Sequence, residues 1–139
     1  MDERDDGSDE RKPIGADDEV NQWSGKVIGA AIEVHRRLGP GFLESVYEEA
    51  MCIELTLRGI PFVRQTPVAV FYKGREIGTG KMDILVADCL VVELKTVEDF
   101  APIHFAQLIS YLKASGHRVG LLINFNVRVL KSGLKRIAL

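Results

Sequence analysis

The chain has 139 residues, 46% apolar and 27% charged, which is enough for one domain with a real core and too few for two. Its formal charge of −2 hides a division: residues 1–19 carry nine acids against three bases, net −6, while residues 20–139 carry eleven acids against fifteen bases, net +4. There is no apolar run near the roughly 20 residues that cross a bilayer and no signal-like N-terminus; two cysteines, Cys52 and Cys89, fit neither a disulfide framework nor a zinc site, so the composition points to a cytoplasmic protein with no membrane partner, whose basic body permits a polyanionic one.

The first 19 residues lack apolar periodicity and are expected to form a disordered acidic tail, a solvated leader on the plainest reading. The folded domain is expected over 20–139. Helical spacing of Val27, Ile28, Ala30, Ala31, Val34 and Leu38 predicts a helix over 20–38, broken by Gly39-Pro40-Gly41. A second helix is expected over 43–58, with Val46, Ala50, Ile53 and Leu57 as its buried stripe and Gly59 as its stop. Residues 60–65 read as a short strand entry and 68–72 as a strand. Lys73-Gly74-Arg75 reads as a hairpin turn and 76–86 as the returning strand. After a polar break at Asp88-Cys89 comes a strand over 90–95. Pro102 suits the first turn of a third helix, which Ser115-Gly116 ends. Strands over 119–124 and 130–137 follow, the last after a turn near Ser132-Gly133. The order α-α-β-β-β-α-β-β predicts an α/β fold, with α and β elements mixed around a central mixed sheet flanked by helices.

The segment from Met82 to Lys95 concentrates the chemistry. A hairpin turning near position 88 sets Asp83 opposite Glu93, on a shared sheet face. Glu93 and Lys95, two apart, share that face as well. Two carboxylates and an ammonium on one apolar hairpin suit a divalent ion and a water attacking phosphate. From spacing alone, rim charges or a cross-strand ion pair fit these residues equally well. Glu44 stands near the start of the second helix, where helix-dipole stabilisation is its plainest role. Gln107 and Tyr111, four apart, share one face of the third helix. Either residue can bond to a phosphate or base, although the pair also suits a half-buried helix face. Lys113 is within reach of a backbone phosphate or simply solvated. His35 is a lone helical histidine, more often structural than metal-binding.

The run Gly41-Phe42-Leu43-Glu44-Ser45-Val46-Tyr47 resembles the signature of the GxxExxY family of the PD-(D/E)xK nuclease superfamily. The similarity continues through Asp83, Glu93-Leu94-Lys95, the stretch from Gln107 to Lys113 and Gly120 to Phe125, in order, over roughly 27–139. Met82 stands where the superfamily's proline would precede the aspartate. The resemblance implies a restriction-endonuclease-like core and a metal-dependent phosphodiesterase. Asp83, Glu93, the Leu94 carbonyl and Glu44 would hold Mg²⁺ or Mn²⁺, Lys95 would be the catalytic lysine, and Gln107 and Tyr111 match a Q-x-x-x-Y motif of an exonuclease-like branch. Nucleic acid, by that branch DNA, is the implied partner. Three carboxylates around Lys95 should keep it protonated at rest. The competing class is a non-catalytic nucleic-acid or protein-binding module on the same fold, although such modules tend to lose the acids or the lysine, all present here. Exposed faces of the first helix and last strand leave room for a homodimer or a partner protein.

Overall fold

The computed structural model describes residues 16–139. Two helices come first, α1 (Ala16–Leu38) and α2 (Glu44–Leu57), then the strands β1 (Phe62–Tyr72), β2 (Arg75–Val86) and β3 (Leu90–Lys95). Helix α3 (Pro102–Ser115), strand β4 (Val119–Asn124), a 3-10 turn (Leu130–Gly133) and strand β5 (Leu134–Ala138) complete the chain. The strands lie side by side in chain order, antiparallel except for β3 and β4, which run parallel because α3 carries the chain from the end of one to the start of the other. The expected mixed sheet between helices is what the chain adopts. Helix α1 begins at Ala16, so four residues assigned to the tail are helical; the rest of that expectation concerns residues 1–15, outside the described part. The expected last strand divides into the 3-10 turn and β5, and the two expected segments before Lys73 join into β1.

Two apolar layers cover the sheet. Val27, Ala30, Ala31 and Val34 of α1 pack with Tyr47, Met51 and Leu55 of α2 against Ile84, Leu90, Val92, Leu94, Leu121 and Ile123. Leu108 and Leu112 of α3 cover Val68, Met82, Leu85, Val91 and Leu122 on the other side. Strands β3 and β4 are thus buried on both faces, which is why their apolar runs show no polar alternation. Each fully buried aliphatic side chain there contributes about 1.5–3 kcal/mol.

The buried stripe of α2 is not the expected one. Val46, Ile53 and Leu57 are exposed, Leu57 at 76%, while Tyr47, Met51, Cys52 and Leu55 face inward. Both stripes have helical spacing. The choice falls to Tyr47, whose ring stacks on Phe125 at 4.5 Å between centroids with planes 8° apart. Its hydroxyl donates to the Gly39 carbonyl and accepts the Phe42 N–H.

Strands β1 and β2 register over ten pairs, from Phe62↔Val86 to Tyr72↔Arg75, but β2 meets β3 at only three, Ile84↔Val92, Leu85↔Val91 and Val86↔Leu90. The outer part of the β1–β2 hairpin therefore leaves the sheet as a two-stranded arm. Its tip turns at Lys73 and Gly74, with φ of 49° and 78°, the mirror-image turn that matches strand twist.

Candidate active site

The turn between β2 and β3 sets the geometry of the site. Ala87 and Asp88 both adopt left-handed φ, 51° and 55°, and Cys89 N–H donates to the Val86 carbonyl. A loop of that length fixes the register, and Ile84 pairs with Val92. One step beyond, at Asp83 and Glu93, the backbone ladder gives way to side chains. Asp83 N–H donates to Glu93 Oε2 at 2.9 Å, and Leu94 N–H donates to Asp83 Oδ2 at 2.8 Å. The two carboxylates cap the fork in which β2 parts from β3, so amides freed from the ladder remain bonded.

The break is visible on both outer strands. Met82 and Leu85 pack on the α3 side while Ile84 and Val86 pack on the opposite side, so alternation in β2 is interrupted at Asp83. On β1, Gln65 stands at the same level, between Arg64↔Ile84 and Thr66↔Met82, with φ of 50°. Its amide donates to Glu48 Oε1 at 2.9 Å and also acts on Asp83. Arg64 joins Glu48 and Glu49 of α2, binding the helix to the fork. Thr66, one residue further, has a buried hydroxyl with no partner.

Helix α2 adds its acids from its first turns. Gly41 has φ of 114°, a backbone that only glycine adopts freely, and it ends the loop leading to Leu43, the N-cap. Tyr47 holds that loop from below. Glu44, three residues earlier and exposed at the surface, is brought within electrostatic range of Asp83, Lys95 and Glu93. Glycine, glutamate and tyrosine at this spacing are one device: a turn, a charge delivered to the fork, and an anchor.

Lys95 ends β3 and points to α3, donating through Nζ to Gln107 Oε1 at 3.2 Å; Gln107 Nε2 in turn lies 3.4 Å from the Tyr111 hydroxyl. The Tyr111 ring rests against β2 where Gly80 has no side chain; a Cβ there would stand 2.6 Å from the ring. Asn124, paired with Lys95 across β3 and β4, donates to the Val97 carbonyl at 2.7 Å and accepts N–H groups of Val97 and Asn126 at 3.1 Å each, fixing the loop that leaves Lys95.

The three acids are removed from water to different degrees: Glu93 is buried, Asp83 half-buried and Glu44 exposed. Burial, then Asp83, pushes Glu93 up to about 8; the Asp83 N–H and Lys95 offset this only in part. Asp83 is raised by burial, against the pull of the Leu94 N–H, and Glu44 is raised by burial and by Asp83. Positive charge is in short supply at the fork, with Lys95 the cation acting on all three. Among the described residues no three His, Cys, Asp or Glu side chains converge closely enough to form a metal cage by themselves.

Glu44, Asp83, Glu93, Lys95, Gln107 and Tyr111 thus share one region, at the carboxyl end of β3. Lys113 lies further along α3, beside β1. His35 is elsewhere: its Nε2–H donates to the Val127 carbonyl at 2.7 Å and its ring lies beside Phe125, a structural link between α1 and the end of β4. Glu48 and Gln65 had no sequence signal, and Asn124 appeared only within the Gly120–Phe125 run with no role of its own. What they do depends on contacts 16 to 27 positions away along the chain, Glu48 with Arg64 and Gln65, and Asn124 with Val97. Among the described residues, no helix is long and apolar enough to cross a membrane.

A family model described as the PD-(D/E)XK nuclease superfamily matches residues 21–137, which takes in every site residue named above. No curated protein matches the chain.

Proposed function

The chain belongs to the PD-(D/E)XK nuclease superfamily, and on that premise we propose that it hydrolyses phosphodiester bonds of nucleic acid, DNA by preference, with a divalent metal ion at the Asp83–Glu93 fork. Within the superfamily, the spacing of Gly41, Glu44 and Tyr47 supports a place in the GxxExxY group. The carrying observation is the pair of crossed bonds that holds the two carboxylates side by side with Lys95 at the strand end. Two free cysteines, one buried and one partly so, support a reducing compartment.

The donor set suits Mg²⁺ or Mn²⁺. The groups are hard oxygens, and their raised proton affinities mark a site deficient in positive charge. Mg²⁺ keeps several of its own waters and needs only one or two carboxylates, so a closed cage of three acids is not required. Asp83 and Glu93 would hold it with the Leu94 carbonyl, which lies on the same strand edge as the Leu94 N–H bound to Asp83. Glu44 would contribute directly or through water. When bound, the ion would supply a more acidic water and neutralise a phosphate oxygen.

The chain's own groups have separate tasks. The Lys95 ammonium donates to Gln107 and is free to turn toward the phosphate, stabilising negative charge as it grows. Gln107 and Tyr111 offer an amide and a phenol to the substrate backbone on the same side. The amides of Asp83 and Leu94 keep both carboxylates aimed at the fork during turnover.

The test is cleavage of single-stranded DNA, duplex DNA and RNA with Mg²⁺ or Mn²⁺. Asp83→Ala and Lys95→Ala should each lower the rate by roughly 10²–10⁴-fold while folding is retained. Rates equal to the parent's in both variants would refute the mechanism. Metal binding by calorimetry with no cleavage of any substrate would instead identify a binding module.

A further inference from the structure

The β1–β2 arm is longer than the site requires, and its surface is unusual. Phe71, Tyr72 and Ile77 are each more than 60% exposed. Lys73, Arg75 and Lys81 stand among them against a single acid, Glu76, and the Lys73 ammonium lies 5.5 Å from the centre of the Tyr72 ring. A bulge between Val70 and Phe71 turns this end of β1. Between it and the C-terminal half of α3 lies a hollow lined by Ala69, Val70, Phe71, Ser110, Lys113 and Ala114.

That hollow continues the site. Gln107, Ser110, Tyr111 and Ala114 recur at three- and four-residue spacing, so they form one face of α3. The face begins at Lys95, through Gln107, and ends against Phe71. Strand and helix are already in contact where Tyr111 rests on Gly80, so a chain running from Lys95 to the hollow passes over the outer side of Tyr111 and not between the two elements. An exposed aromatic ring beside a lysine, in continuity with a phosphate-handling site, suits a single strand: bases stack without regard to sequence, and the cation meets the backbone.

We propose that this hollow holds the single strand of nucleic acid leaving the Asp83–Glu93 fork, with a base stacked on Phe71 and a phosphate facing Lys113. The inference rests on the nuclease reading and adds to it where the substrate runs and that it runs there unpaired.

The experiment measures binding of the full chain to a labelled single-stranded oligonucleotide of about 15 nucleotides by fluorescence anisotropy, without divalent metal, so that no turnover enters. Phe71→Ala should weaken binding roughly 5- to 100-fold. Ser110→Glu, an exposed helical position that accepts glutamate without loss of fold, should weaken it by repelling the phosphate. Lys113→Ala should reduce the slope of log affinity against log salt by about 0.7. Unchanged affinity in Phe71→Ala and Ser110→Glu would overturn the proposal even if the parent cuts DNA. A parent that binds and does not cut leaves the hollow supported whenever the variants weaken binding, and removes only the catalytic reading. Equal weakening of blunt duplex binding would overturn the single-strand assignment. A change of oligomeric state in Phe71→Ala on gel filtration, with affinity unchanged, would overturn it in favour of pairing between copies.

Discussion

Tyr47 is an aromatic residue in a motif that otherwise suggests catalysis, yet it is completely buried, and its bonds go to the Gly39 carbonyl and the Phe42 N–H. Its part is to position Glu44. Tyr47→Phe keeps the stack on Phe125 and orphans both backbone groups, so it should cost about 1–3 kcal/mol in urea unfolding. Tyr47→Ala also empties the space beneath the loop and should cost about 3–5 kcal/mol. A loss below 0.5 kcal/mol for both would show that the loop is held by something else. At this scale the sequence was legible where a residue acts through its neighbours in the chain: Asp83, Glu93 and Lys95 follow from one tight turn and the two-residue period of strands. Gln65 and Glu48 were not, because each is ordinary in its own segment and matters only once β1 and α2 have been brought together; Asn124 stood within a matched run, but its hold on Val97 follows only from the pairing of β3 with β4.

At the level of elements, β3 and β4 have the bounds that their apolar runs predict, because turn residues close both ends of each. Helix α2 was legible in extent and not in orientation. It carries apolar side chains around most of its circumference, and a long-range stack on Phe125 decides which of them turn inward. The observed orientation makes a sharp comparison. Met51→Ala should cost about 2–5 kcal/mol, whereas Ile53→Ala, at 58% exposure, should stay within about 0.5 kcal/mol. Thermal or urea unfolding of the two variants distinguishes the stripes, and the reverse order would restore Val46, Ile53 and Leu57 to the core. The β2–β3 turn offers a second measurement. Asp88 is exposed with φ of 55°, so Asp88→Gly should raise stability by about 0.5–1 kcal/mol. A loss of stability would show that the aspartate side chain supports the turn.

For the molecule as a whole, the fork couples stability to pH. Folding raises the proton affinity of Glu93 from the ordinary glutamate value of 4.5 to about 8. The folded chain therefore binds that proton more tightly than the unfolded chain does. The stabilisation from this proton is complete below about pH 4.5 and is lost as the pH rises through about 8. In metal-free buffer the melting temperature should fall across that window, and Glu93→Gln should flatten the decline. At pH 8, Mg²⁺ or Mn²⁺ should restore melting temperature in the parent and not in Asp83→Ala, because a ligand that binds only the folded state stabilises it. A melting temperature indifferent to both pH and metal would separate the acids from any cation.

The three-pair contact between β2 and β3 has a dynamic consequence. Amides of the doubly covered strands β3 and β4 should exchange with heavy water only on global unfolding, while those of the hairpin beyond Asp83 should exchange through local opening. The carboxylates stand at the border between these two regimes. The fork thus marks the line where protection should change, from a ribbon held only by its own ladder and by α3 to strands sealed on both faces.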